Sequence, residues 1–165
     1  MAIFKAFPPR SALAALFGVV LTLMAPASAH RMPEVYVTLE GADLGGEPIT
    51  AITLRLHAED ALRLLESEGL TGVELAEPSV LEALGRASGQ GISLSGEGRV
   101  LFVGGEVEDN RVYLYLAAEE GSEITDAKVL SEVYTNWTNR VTDLRAEEPV
   151  TKVFTQGGPI EGHHH

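Results

Sequence analysis

The sequence predicts an all-β domain, a β-sandwich of seven to eight short strands with a short helical insertion after the second strand. Two observations carry the strand reading. Apolar and polar residues alternate at period 2 along most of the chain beyond residue 30, and clusters of Gly, Pro, Asn and Asp divide the alternating runs into short segments. A third observation places the helices: between about residues 58 and 87 the apolar spacing becomes helical.

The first strand is read from Val35, Val37 and Leu39, which alternate with Tyr36, Thr38 and Glu40, and the cluster "GADLGGEP" after it is read as a turn. The second places Ile52, Leu54 and Leu56 on one face and Thr53, Arg55 and His57 on the other. Then Ala61, Leu64 and Leu65 fall at helical spacing, with Glu59 and Asp60 in the first turn, where the helix dipole favours acids, and Gly69 as the stop. A second short helix carries Val80, Leu81 and Leu84 on one face, and Pro78 suits its first turn.

Strand signals return after Gly91. "GISLS" is short, "GRVLFVGGEVED" is long with a bulge expected at Gly104-Gly105, and "NRVYLYLAA" alternates Val112, Leu114 and Leu116 with Arg111, Tyr113 and Tyr115. "EDN" between the last two reads as a hairpin turn. "TDAKVLSEVYTNW" is read as a strand, although Val129, Leu130, Val133 and Tyr134 also fit a helical face. "TNRVTDLRA" and "PVTKVFTQ" close the domain as two strands.

The N-terminus reads as a leader. Lys5 and Arg10 precede an apolar run from Ala12 to Ala25, and Ala27-Ser28-Ala29 is the small-x-small pattern of a signal-peptidase site. A membrane anchor is the competing reading, but fourteen apolar residues make a helix of about 21 Å against a hydrocarbon core of about 30 Å. The expected organisation is a signal peptide at 1–29, a sandwich domain at 30–156 and a flexible tail at 157–165. Without cysteine the chain has no disulfide, thiolate ligand, thiol nucleophile or lipoprotein attachment, so an exported domain must be held by its core. Removing Lys5 and Arg10 leaves ten basic residues against 24 acidic ones, a formal charge of −14. That balance argues against nucleic acid and anionic membranes as partners, and no second apolar run is long enough for membrane insertion after cleavage.

"ITLRLHAEDALRLL", "LFVGGEVEDNRVYLYLAAEE" and "TNRV" together resemble an uncharacterised family of exported bacterial proteins, a domain of unknown function. The resemblance implies an immunoglobulin-like sandwich over roughly residues 30 to 155. It matches His30 to an opening histidine, His57 and Asp60 to a strand-to-helix motif, and Phe102, Gly104, Glu106 and Glu108 to a hairpin motif. Asn139 and Val141 match a late N-x-V strand, whereas Tyr134, Thr135, Asn136 and Trp137 replace the family's Phe-Pro-Asp-Gln run. The resemblance implies a fold and no activity.

Cleavage after Ala29 makes His30 the mature N-terminus, where a free α-amine and the imidazole Nδ1 chelate one metal ion together. A second imidazole completes a three-nitrogen set suited to Cu(II). His57 is that candidate, because in an antiparallel pair the start of the first strand lies opposite the end of the second. The bland alternative makes His30 an accident of cleavage and His57 a solvated or helix-capping residue. The terminal "GHHH" is set aside as a tail, the Asn136-Trp137-Thr138 sequon carries no meaning in a bacterial host, and Trp137 reads as packing. No nucleophile elbow, zinc-protease motif or phosphate loop is present, and Glu106 and Glu108, two apart before a turn, read as solvated.

Two functions follow as expectations. The first is a non-enzymatic exported binding or scaffold domain, periplasmic or extracellular, recognising an unknown protein of the cell envelope through sheet edges or loops. The alternative is a periplasmic Cu(II)-binding protein using His30 with His57.

Overall fold

Hairpins with opposite-facing apolar and polar rows build most of the protein. The computed structural model describes residues 31–161, the last without its side chain, and one compact unit begins at Met32. β1 (Glu34–Leu44) turns through Gly45 and Gly46, at φ 65° and 92°, into β2 (Glu47–His57). Both turn residues lie where only glycine is unstrained, the requirement of a tight two-residue hairpin, and the Gly46 N–H donates to Asp43 Oδ1 at 2.8 Å. The turn expected from Gly41 onward is therefore only Gly45-Gly46, and the strands run up to it.

Between β2 and β3 (Ile92–Leu94) the chain forms α1 (Ala58–Ser67) and α2 (Pro78–Gln90). The hairpin β4 (Leu101–Glu108) and β5 (Arg111–Glu119) follows, then β6 (Ile124–Ala127), β7 (Thr138–Asp143), β8 (Val150–Thr155) and β9 (Gly158–Glu161). Seven strands form one sheet in the order β4-β5-β2-β1-β7-β8-β9, and β3 pairs with β6 in a separate two-stranded sheet. Every pairing is antiparallel except β1 with β7, which is parallel. The expected predominance of strand holds, in two unequal sheets.

One face of the large sheet carries the core. Val37, Leu54 and Leu114 stand side by side in register and are buried, as are Leu39, Ile52 and Leu116 in the neighbouring row. They join Leu64 and Leu65 of α1, Leu81 and Leu84 of α2, and Ile124, Val129, Leu130 and Trp137 in one apolar cluster. Period-2 alternation aims one side of each strand at this cluster, and helical spacing does the same for α1 and α2. The opposite face carries Tyr36, Arg55 and Tyr113 in one row, with the Arg55 guanidinium 4.3 Å from the centre of the Tyr36 ring.

Two expectations are corrected here. The strand expected across "TDAKVLSEVYTNW" ends at Ala127, and residues 128–137 form turns in which the Ser131, Val133 and Tyr134 N–H groups donate to carbonyls three or four residues back. Val129 and Leu130 are consecutive and both buried, which departs from the alternation of a strand covered on one face. The chain turns instead, and Leu130, 2% exposed, takes φ 72°, an uncommon conformation for so bulky a residue. The tail expected from residue 157 begins instead with β9, a ninth strand paired to β8. The terminal histidines and the expected leader lie outside the described residues.

Candidate functional site

The two metal candidates have different standings in the structure. His30 lies outside the described residues. His57 ends β2 as expected, and the β1–β2 register continues from Tyr36 opposite Arg55 towards the start of β1 at that same end of the sheet. Its ring is already engaged: Nδ1 accepts the Glu59 N–H at 3.2 Å and makes His57 the N-cap of α1. Nε2 stands 3.1 Å from Asn110 Nδ2, an amide nitrogen that only donates, so both ring nitrogens face donors. The Ala58 N–H also donates to the Asn110 carbonyl at 2.8 Å, which fastens the start of α1 to the β4–β5 turn. A metal ion at either ring nitrogen would have to displace the donor that faces it, the Glu59 N–H at Nδ1 or Asn110 Nδ2 at Nε2. Among the described residues, no group of three His, Asp or Glu side chains is placed to hold a metal ion.

The other residues singled out by the resemblance perform structural tasks. Asp60, 2% exposed in the first turn of α1, accepts a hydrogen bond from the Tyr134 hydroxyl at 2.9 Å. Asn139, fully buried in β7, donates from Nδ2 to the Val129 carbonyl at 3.1 Å. Glu106 accepts from the Tyr115 hydroxyl on the sheet's other face. Burial first, and then the bond to the Asp60 carboxylate, push the Tyr134 phenol from 10.0 up to about 12.

A phenol whose pKa is raised by folding contributes stability that is complete below its unfolded value and lost as pH rises through its folded one. Stability should therefore fall between about pH 10 and about 12 as the unfolded chain releases the Tyr134 proton first. Tyr134→Phe should lower stability at neutral pH by about 1 to 2 kcal/mol, because Asp60 loses a donor while buried. It should also flatten the alkaline decline. Urea titrations at pH 7, 10 and 11 check both, and an unaltered alkaline slope in the variant would remove Tyr134 as its source.

The surface best suited to binding lies at the β4 end of the large sheet. Among the described residues β4 pairs only with β5, so its outer side is a sheet edge. α2 runs against it through small residues. A Cβ on Gly85 would stand 2.1 Å from Phe102 Cδ2, so only glycine lets that ring lie on the helix, while Gly89 faces Val100 and Leu81 faces Gly105. These contacts order α2 antiparallel to β4. The pairing of β4 with β5 slips between Phe102 and Gly104, which leaves Val103 as the extra residue of a bulge. Val103 is 50% exposed and Leu101 64%, and both line a groove of about 950 Å³ with Pro78, Leu81, Arg86 and Arg99. A second cleft, of about 690 Å³, lies between the 128–137 turns and the β8–β9 hairpin, where Lys128 is paired with Asp126 at 2.7 Å.

The bulge expected at Gly104-Gly105 falls one residue earlier, at Val103, and the groove was not legible in the sequence. Leu101 and Val103 look like core positions in the sequence, and only the strand order shows that no element covers them. The available signal was "RVLFV", an apolar run without the clean alternation of its partner β5. No protein-family model matches the chain, and no curated protein matches its sequence. Function rests on this geometry.

Proposed function

We propose that the chain is an exported, non-enzymatic binding domain of the bacterial cell envelope that takes up an extended segment of a partner protein along the open edge of β4. The observation that carries this reading is the edge itself. Edge strands are normally blunted by charge, proline or a covering element, because their free N–H and C=O groups recruit further strands. Here the edge presents Leu101 and Val103 beside a groove walled by α2, which has the elements of strand addition: backbone pairing for affinity and side-chain pockets for choice. The same proposal takes residues 1–29 as a cleaved leader and the immunoglobulin-like family as the chain's relatives.

Selection from a displayed library of random peptides tests the binding reading. The mature domain should enrich peptides with apolar residues at alternate positions, and a domain carrying Leu101→Asp and Val103→Asp should not. Both replaced side chains are largely exposed, so the double variant should keep its thermal midpoint within the few degrees that surface changes cause. Equal enrichment by the two proteins would mean that the edge of β4 is not the binding surface.

A further inference from the structure

Resting on the edge-binding reading, we infer that the bound segment runs antiparallel to β4 and ends in a carboxylate held by Arg86 and Arg99. The two ends of the edge differ in charge. Arg99 stands just before β4 begins, and Arg86 lies on α2 within one turn of Gly85 and Gly89, which face Phe102 and Val100 at that same end. Glu106, Glu108 and Asp109 occupy the other end.

An antiparallel strand finishes where its neighbour starts, so its C-terminal carboxylate falls beside the arginines and its amine or a basic residue beside the acids. A parallel strand reverses both matches and sets like charges together. Beyond the arginine pair, a mature chain of formal charge −14 repels carboxylates over most of its surface.

Neither arginine is committed elsewhere by a buried contact. Arg99 makes no ion pair among the described residues, and Arg86 meets Glu82 at 2.8 Å on an exposed helix turn, an arrangement of small energetic consequence that a second carboxylate can join or displace. Two guanidinium groups near one terminal carboxylate supply the forked donors that such a group accepts. The apolar positions Leu101 and Val103 then lie under the residues just before that terminus. The occupant is therefore the free C-terminal tail of another protein, extended and apolar at alternate positions. A second copy of this chain is disfavoured by its own negative charge.

The test uses the mature domain and two fluorescent peptides, Lys-Thr-Val-Thr-Val-Thr-Val-Val with a free carboxylate and the same peptide as its C-terminal amide. Fluorescence anisotropy should show the acid binding on the order of tenfold more tightly than the amide. Arg99→Ala and Arg86→Ala should erase that difference. A photocrosslinker on the penultimate peptide residue should label the Arg99–Val103 stretch and spare Glu106–Asn110. Equal binding of acid and amide, or crosslinks at Glu106–Asn110, would overturn the inference while the edge reading stood, provided Leu101→Asp with Val103→Asp abolished binding. If neither peptide binds, or if the aspartate pair changes nothing, the edge reading fails and the inference with it.

Discussion

Leu54→Ala should lower the unfolding free energy by about 3 kcal/mol, the usual size for a leucine removed from a core that cannot collapse around the cavity. Leu54 is fully buried on β2, flanked in register by Val37 of β1 and Leu114 of β5, and faces α1 and α2 across the core. The strands on both sides are fixed by backbone ladders, so the space left by the isobutyl group has little means of closing. For a domain without disulfides, whose total stability is expected at about 5 to 15 kcal/mol, such a loss is a large fraction. Thr53→Ala, next in sequence but on the other face, should change stability by less than about 0.5 kcal/mol. Urea denaturation of the two variants measures the contrast, and comparable losses would show that burial is not concentrated on the helix-covered face.

Gly91→Ala should cost about 2 kcal/mol although its backbone angles suit any residue. Gly91 ends α2 at φ −79°, so conformation sets no demand. The demand is steric: an added Cβ would stand 2.9 Å from the Val129 nitrogen, 3.0 Å from its Cα and 3.1 Å from the Lys128 carbonyl carbon. These are backbone atoms, and the Lys128 N–H donates to the Gly91 carbonyl at 2.7 Å, so the two segments cannot part without losing that bond. Overpacking against atoms that cannot rotate away costs about 1 to 3 kcal/mol. Two residues earlier the sign should reverse. A Cβ on Gly89 meets only Val100 Cγ1 at 3.7 Å, an ordinary contact. Gly89→Ala should therefore stabilise the domain by up to about 1 kcal/mol through helix propensity alone. Thermal melts of the two alanine variants test the pair, and shifts in the same direction would mean that the approach of Val129 to Gly91 does not limit this position.

The candidate site was less legible than the core for the same reason that separates Gly89 from Gly91. The sequence "GRASGQG" gives both glycines the same local environment, and only the path of residues 128 and 129, far along the chain, distinguishes them. Leu101 and Val103 likewise carry no mark of exposure. They become a groove because β5 takes β2 as its second neighbour and leaves β4 at the end of the row. His57 shows the intermediate case: its place at the end of β2 followed from alternation and helix capping was one reading open to it, but the choice between capping and solvation depended on how the first turn of α1 meets the ring.

Periodicity by itself determined which residues face the core, because side-chain direction in a strand or helix is fixed by local backbone geometry and each inward row needs only its own segment. It thus determined β1, β2, β5, β7 and β8, and both helices, down to the buried rows Val37–Leu54–Leu114 and Leu64–Leu65. It misread residues 128–137, where two adjacent buried residues follow from what packs on them and not from any repeat. Strand order, the parallel pairing of β1 with β7, the edge position of β4 and the basic end of its groove were decided only by the tertiary structure. These depend on which segments, distant in the chain, share one sheet; backbone hydrogen bonds that join them are the same for every sequence, so the residues of one strand do not record its neighbour.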